Sequence, residues 1–194
     1  MISDSQIEAC LRGERLAQRE LFGVLAPRAF RVAARYVAQR ASAEDVVQEA
    51  MARVFAKLAG FDAGRGSIEA WSHRIFVNES LRYLRRYGRL VLDESADREA
   101  ATEPAAEPLA LQRLAAADLR RHLLALPDGY RAVFNLHEVE GYSHAEIAAA
   151  LGVQPATSRS QLARAKALLQ RRLRGPQPTP ARTSPTSPTK TIAL

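Results

Sequence analysis

Apolar residues return every three or four positions along most of this chain, the spacing that gathers them on one side of an α-helix. No stretch alternates apolar and polar residues as a half-buried strand would, so the expected fold class is all-α. In the first part, Ser3 or Asp4 can cap a short helix, and a second helix continues through Leu16, Leu21 and Leu25. Pro27 is expected to open another helix, with Phe30, Ala33, Ala34 and Val37 inward. Ser42 with Asp45 offers a capping box for a helix carrying Val46, Val47, Ala50, Val54 and Leu58. Gly60, Gly64 and Gly66 break the pattern, and Ser67 caps a helix that buries some of Ile68, Trp71, Ile75, Leu81 and Leu84.

The periodicity then lapses. Residues 93–107 hold Asp, Glu, Ala and Pro without large apolar groups, which reads as a flexible acidic linker. It resumes in a second module over 108–174: one helix ends near Leu126, and another starts at Pro127 and ends before Gly141. Ser143 with Glu146 forms a full capping box. Residues 175–194, rich in Pro, Ser and Thr, are expected to be a disordered tail. The organisation is thus two helical modules, 1–92 and 108–174, on either side of the linker.

Charge sharpens that division. The 194 residues carry a net charge of +7. Residues 1–92 contribute 15 basic and 10 acidic groups, a net of +5; 93–107 contribute −5; 108–175 contribute +5. Two basic blocks around an acidic one suit a polyanionic partner. No apolar run approaches the length of a bilayer span, the N-terminus lacks the pattern of a secretory signal, and Cys10, the single cysteine, allows no internal disulfide. A cytoplasmic location is expected, with Cys10 as a small buried residue on an early helix.

Between Ser143 and Lys166 the order of residues suits a helix-turn-helix. Ala148 is small where two helices must cross, Gly152 eases a left-handed turn, and Pro155 fits the first turn of the next helix. That helix offers Thr157, Arg159, Ser160, Gln161, Arg164 and Lys166 outward, with Leu162, Ala165 and Leu169 inward. Arg reads guanine bidentately and Gln reads adenine in a major groove, while Lys166, Arg171, Arg172 and Arg174 suit phosphates. Ser158 stands where an apolar residue usually packs.

In the first module, Arg74, Asn78, Arg82, Arg85 and Arg89 form one stripe on the helix after Ser67, able to track a phosphate backbone. Phe61 precedes it in the glycine-rich loop; Trp71 is expected to be core. Glu44, Asp45, Gln48 and Glu49 cluster on the preceding helix with no histidine at ligand spacing, which favours a protein-contact face over a metal site. Catalysis finds no support: His137-Glu138 lacks the second histidine of an HExxH zinc site, since Gly141 stands there. A stand-alone dimeric repressor would need a surplus apolar stripe that the first module lacks. A protein-interaction module that ignores DNA would not need two basic faces.

Three segments together resemble the extracytoplasmic-function group of bacterial sigma factors, over about residues 15–174. Ser42 to Ala50 resembles the core-polymerase-binding segment. Trp71 to Asn78, followed by Leu84-Arg85-Arg86, resembles the −10 recognition helix. Leu126 to Phe134 and Glu138 to Ala148 resemble the −35-reading module. The resemblance implies a sigma region 2-like bundle and a region 4-like helix-turn-helix. Asp45, Gln48 and Glu49 would face core RNA polymerase; Phe61 and Asn78 would grip an extruded −10 base, beside Arg74, Arg82 and Arg85. Arg159, Ser160, Gln161 and Arg164 would read the −35 element. It further implies promoter DNA and an anti-sigma factor as partners, and neither cofactor nor metal. Ile68, Arg82 and Gln161 depart from residues common in the group at those places.

Overall fold

The computed structural model describes residues 2–87 and 116–174. Its α-helices are α1 (Asp4–Leu11), α2 (Arg15–Tyr36), α3 (Arg40–Lys57), α4 (Ile68–Tyr87), α5 (Ala116–Leu124), α6 (Asp128–Phe134), α7 (His144–Leu151) and α8 (Pro155–Arg174). No strand occurs among the described residues. The expected acidic linker and the Pro-rich tail lie outside them.

Ser3 caps α1: its hydroxyl accepts from Gln6 N–H while the Gln6 side chain accepts from Ser3 N–H. Pro27, expected to open a helix, lies inside α2 instead. A proline there removes one backbone hydrogen bond and strains the preceding turn, a penalty of about 3 kcal/mol. The helix runs through because Ala17, Leu21, Leu25, Ala29, Val32, Ala33 and Tyr36 form one unbroken buried row across it. Each fully buried leucine in such a row contributes roughly 1.5–3 kcal/mol. Leu16 is exposed, outside that row.

The expected Ser42 cap is also displaced. α3 starts three residues earlier, at Arg40, and its N-cap Gln39 makes no side-chain capping bond. Arg40 pairs with Glu44 one turn on (2.8 Å) and lies 5.5 Å from the centre of the Phe30 ring, which ties down the extra turn. Val46, Val47, Ala50, Met51 and Val54 then bury against α2 and α4. α1 to α4 thus make one bundle.

In the second bundle α8 packs on α5, α6 and α7. α6 does not stop at Phe134 but widens into a π-turn over Asn135–Val139, where Glu140 N–H reaches back to Asn135 O (3.0 Å). The two bundles are docked: α2 packs on α5 and α6, and the buried apolar residues of both modules form one contiguous cluster. Sequence patterning suggested no such docking.

Candidate nucleic-acid interface

The helix-turn-helix forms where expected. Ser143 and Glu146 cap α7 reciprocally. Gly152 ends it at φ 73° and ψ 36°, a left-handed conformation that a side chain would strain. Pro155 opens α8. Ile147, Ala148, Leu151, Leu162, Ala165 and Leu169 are buried, and Val153 packs against them.

The outward face of α8 is narrower than expected. Arg159 is exposed, while Ser160, Arg164 and Lys166 are half-buried. Thr157 and Gln161 are buried, at 6% and 3% exposure, so neither is presented to a DNA groove in this arrangement. The reason is coverage: α5, α6 and α7 all lie on α8, and their combined contact is wider than one amphipathic stripe. Thr157, Gln161 and Ala165 fall on one row at its margin and are buried with it. Lys166 pairs with Glu138 (2.8 Å). Burial by itself would raise the pKa of Glu138, but Lys166 and His137 hold it below the ordinary value.

Ser158, unusual for a core position, is completely buried and hydrogen-bonded to His144 Nδ1 at 3.0 Å. His144 stacks on His137 with ring centres 4.6 Å apart. Burial, followed by the charges of His137, Arg159 and Lys166, lowers the His144 pKa below 6.5. The imidazole therefore stays neutral in the fold at pH values where an unfolded chain would protonate it. Unfolding takes up that proton, so this contribution is full above about pH 6.5 and shrinks as pH falls below it. His144→Asn, which keeps a partner for Ser158, is expected to flatten the loss of melting temperature between about pH 7 and pH 5. Calorimetry giving the same slope for both proteins would argue against the cluster.

On α4, Arg74, Asn78, Arg82 and Arg85 are all exposed along one side, as their spacing suggested. Arg89 lies outside the described residues. At the head of this stripe the loop from Gly60 to Ser67 encloses a cavity of about 300 Å³ lined by Phe61, Asp62, Arg65, Trp71 and Arg74. Its shape has local causes. Asp62 Oδ1 accepts from Gly64 N–H (2.9 Å), and Gly66 turns the chain at φ 139°, a conformation favouring glycine. Ser67 Oγ accepts from Ala70 N–H to start α4. Trp71 is half-buried and meets Phe61 edge-on, ring centres 5.6 Å apart, so the two rings form the cavity wall.

Asp45, Gln48 and Glu49 are exposed on α3. They edge a groove of about 630 Å³ whose far side is Arg82, Tyr83 and Arg86 of α4. At its floor Glu79, 5% exposed, pairs with Arg53 at 2.5 Å and lies 3.9 Å from Arg82. Arg82 therefore borders the acidic groove as well as the α4 stripe.

Comparison with known proteins matches the sigma-70 region 2 family to residues 21–90 and the sigma-70 region 4 family to residues 116–169. An ECF RNA polymerase sigma factor, SigM of Mycobacterium tuberculosis, is 33% identical over 178 residues, 88% of this chain and 85% of that one. The chain belongs to the ECF group of the sigma-70 family. SigE of Mycolicibacterium smegmatis is 37% identical over 154 residues, which are 78% of this chain and 59% of that longer protein. Among solved structures, the sigma factor RpoE from Bartonella quintana, crystallised with the anti-sigma factor NepR, aligns with a TM-score of 0.50 at 26% identity, over 82% of this chain and 98% of that one.

The α2–α4 bundle is thus region 2, and α5 to α8 are region 4. Several contacts of this sigma factor escaped the sequence reading. Glu140, directly before Gly141, is nearly buried and bonded to both Arg35 and His73. Arg131 is 4% exposed and holds backbone carbonyls. The available sequence signal for Arg131 was its i,i+3 spacing from Asp128, with which it pairs. Nothing in local spacing points to Arg35 or His73, whose partner is more than sixty residues away.

Proposed function

We propose that this chain is an alternative sigma factor that binds core RNA polymerase and directs it to particular promoters. It acts in the cytoplasm, under an anti-sigma factor, without catalytic chemistry or cofactor of its own. The observation that carries this reading is the exposure of three different faces on one chain: the α3 acids, the α4 arginine stripe and Arg159 of α8. Asp45, Gln48 and Glu49 meet the polymerase. Arg74, Asn78, Arg82 and Arg85 run along the −10 strand, and the Phe61–Trp71 cavity takes an unstacked base, aromatic walls suiting any base by its π-face. Arg159, Ser160, Arg164 and Lys166 address the −35 duplex. Thr157 and Gln161 support α8 from beneath rather than reading bases. Control by an anti-sigma factor draws on the likeness to the Bartonella RpoE structure, which holds one.

Run-off transcription with purified core polymerase on promoters from the same genome tests the whole reading; failure to start at any site would refute it. Arg159→Ala is expected to weaken initiation by roughly 1–3 kcal/mol, about five- to 160-fold, and to relax preference at one −35 position. Equal activity of both proteins on every −35 variant would remove Arg159 from the reading face.

A further inference from the structure

Arg82 stands on two faces of α4 at once. Helix neighbours lie three and four residues apart. Arg82 therefore has Asn78 and Arg85 of the exposed stripe on one side, and Glu79 and Arg86 of the α3–α4 groove on the other. The charged side chains lining that groove are three acids, Asp45, Glu49 and Glu79, and three arginines, Arg53, Arg82 and Arg86, so the groove is electrically balanced as it stands. Two of the arginines are well held. Arg53 is 2.5 Å from the Glu79 carboxylate, and Arg86 lies 5.1 Å from the centre of the Tyr87 ring. Arg82 is held least: it approaches the other oxygen of Glu79 only to 3.9 Å, and 57% of its side chain is exposed. A pair that long and that well solvated restrains its cation weakly.

We propose that Arg82 is an exchangeable charge: it balances the acidic groove in the free chain and passes to the −10 strand when cationic side chains of core RNA polymerase enter the groove. This exchange rests on the assignment of the α3 acids to polymerase and of the α4 stripe to promoter DNA. Cations drawn to Asp45 and Glu49 bring like charge against Arg82, which is unfavourable. Arg53 and Arg86 keep their partners. Arg82 swings on its methylene stem to the stripe side, where a DNA phosphate is the anion that receives it. The exchange also runs in reverse. A phosphate that takes Arg82 leaves three acids against two arginines, and a net negative groove attracts the polymerase more strongly. Binding of either partner favours the other, as linkage requires. This one arginine therefore helps DNA binding and opposes polymerase binding, whereas a residue that merely supports the fold would affect both in the same direction.

The two effects have opposite signs, and both are measurable on the full chain. Affinity for purified core polymerase is measured by competition against a fluorescent native chain. Affinity of the resulting holoenzyme for DNA is measured by anisotropy on a forked fragment of a promoter found by run-off transcription, over a series of salt concentrations. Arg82→Gln removes the charge. It is expected to bind core polymerase about two- to fivefold more tightly, the scale of one exposed ion pair. Its holoenzyme is expected to bind the fork about three- to tenfold more weakly, with a salt slope smaller by about 1. Arg82→Lys, which keeps the charge, is expected to return both affinities towards native values. Arg85→Gln, on the stripe but outside the groove, is expected to lose DNA affinity alone. Unchanged or weaker binding of the Arg82→Gln chain to core polymerase would overturn the exchange, as would an unchanged salt slope on the fork. If the native chain binds core polymerase and starts transcription while Arg82→Gln misses either expectation, the sigma reading stands and only the exchange is lost. If the native chain binds no core polymerase, the reading falls and the exchange with it.

Discussion

Replacing Arg131 with alanine is expected to destabilise the chain by about 3–5 kcal/mol, the scale of breaking a buried charge pair. The guanidinium donates to Tyr36 O and Leu126 O at 2.9 Å and to Leu124 O at 3.1 Å, and pairs with Asp128 at 2.5 Å. Alanine leaves these acceptors facing each other in a dry space, and each unpaired buried group costs about 1–3 kcal/mol. Asp128 remains partly solvated, which moderates the total. A bundle of about sixty residues has only roughly 3–9 kcal/mol to lose, so region 4 should melt near or below room temperature. Lysine should rescue little, because a single ammonium cannot serve acceptors lying in several directions as the planar fork does. Circular dichroism melts decide the matter; a shift of only a few degrees would mean that water or a neighbour replaces the guanidinium.

Charge reversal at Asp45 should leave the fold alone and remove the polymerase. Asp45 is exposed on α3, one turn from Glu49 and outside the buried row of that helix. Substitutions at such positions usually change stability by less than about 0.5 kcal/mol. At an interface chosen for acidic charge, however, a new arginine places like charges together, which costs several kcal/mol. Asp45→Arg is therefore expected to weaken core-polymerase binding at least a hundredfold, about 2.7 kcal/mol, with an unchanged melt. Co-purification of the variant with core polymerase at native yield would remove α3 from the binding face. Asp45→Asn should lie between the two.

What could be read beforehand follows the range of the forces involved. The α1 cap, the Ser143–Glu146 box, the Gly152 turn and Pro155 at the start of α8 all depend on residues within one or two turns, and all formed as the spacing indicated. The apolar rows of α3, α4 and α8 were legible for the same reason. Pro27 and Ser42 misled because local preference was outweighed: at Pro27 by a buried row spanning 22 residues, at Ser42 by Arg40 reaching Glu44 and Phe30. At the candidate site, Arg74, Asn78, Arg82, Arg85 and Arg159 lie on the surface where periodicity put them. Thr157 and Gln161 do not, because how much of a helix is covered depends on how many neighbours it has. The pairing of Glu140 with Arg35 and His73 joins positions 105 and 67 residues apart, beyond any local pattern.

The π-turn at Asn135–Val139 has a consequence for how such a protein can change over generations. A π-turn amounts to one surplus residue in an α-helix, and a single surplus residue turns everything after it by about 100°. Here it separates Asn135, which holds Arg35 O, from Glu140, which holds the Arg35 and His73 side chains. Loss of one codon in this stretch would regularise the helix, swing Glu140 to another side and release Arg35 and His73, without changing any side chain on α4 or α8. The docking of the two bundles can thus drift separately from the residues exposed on α4 and α8.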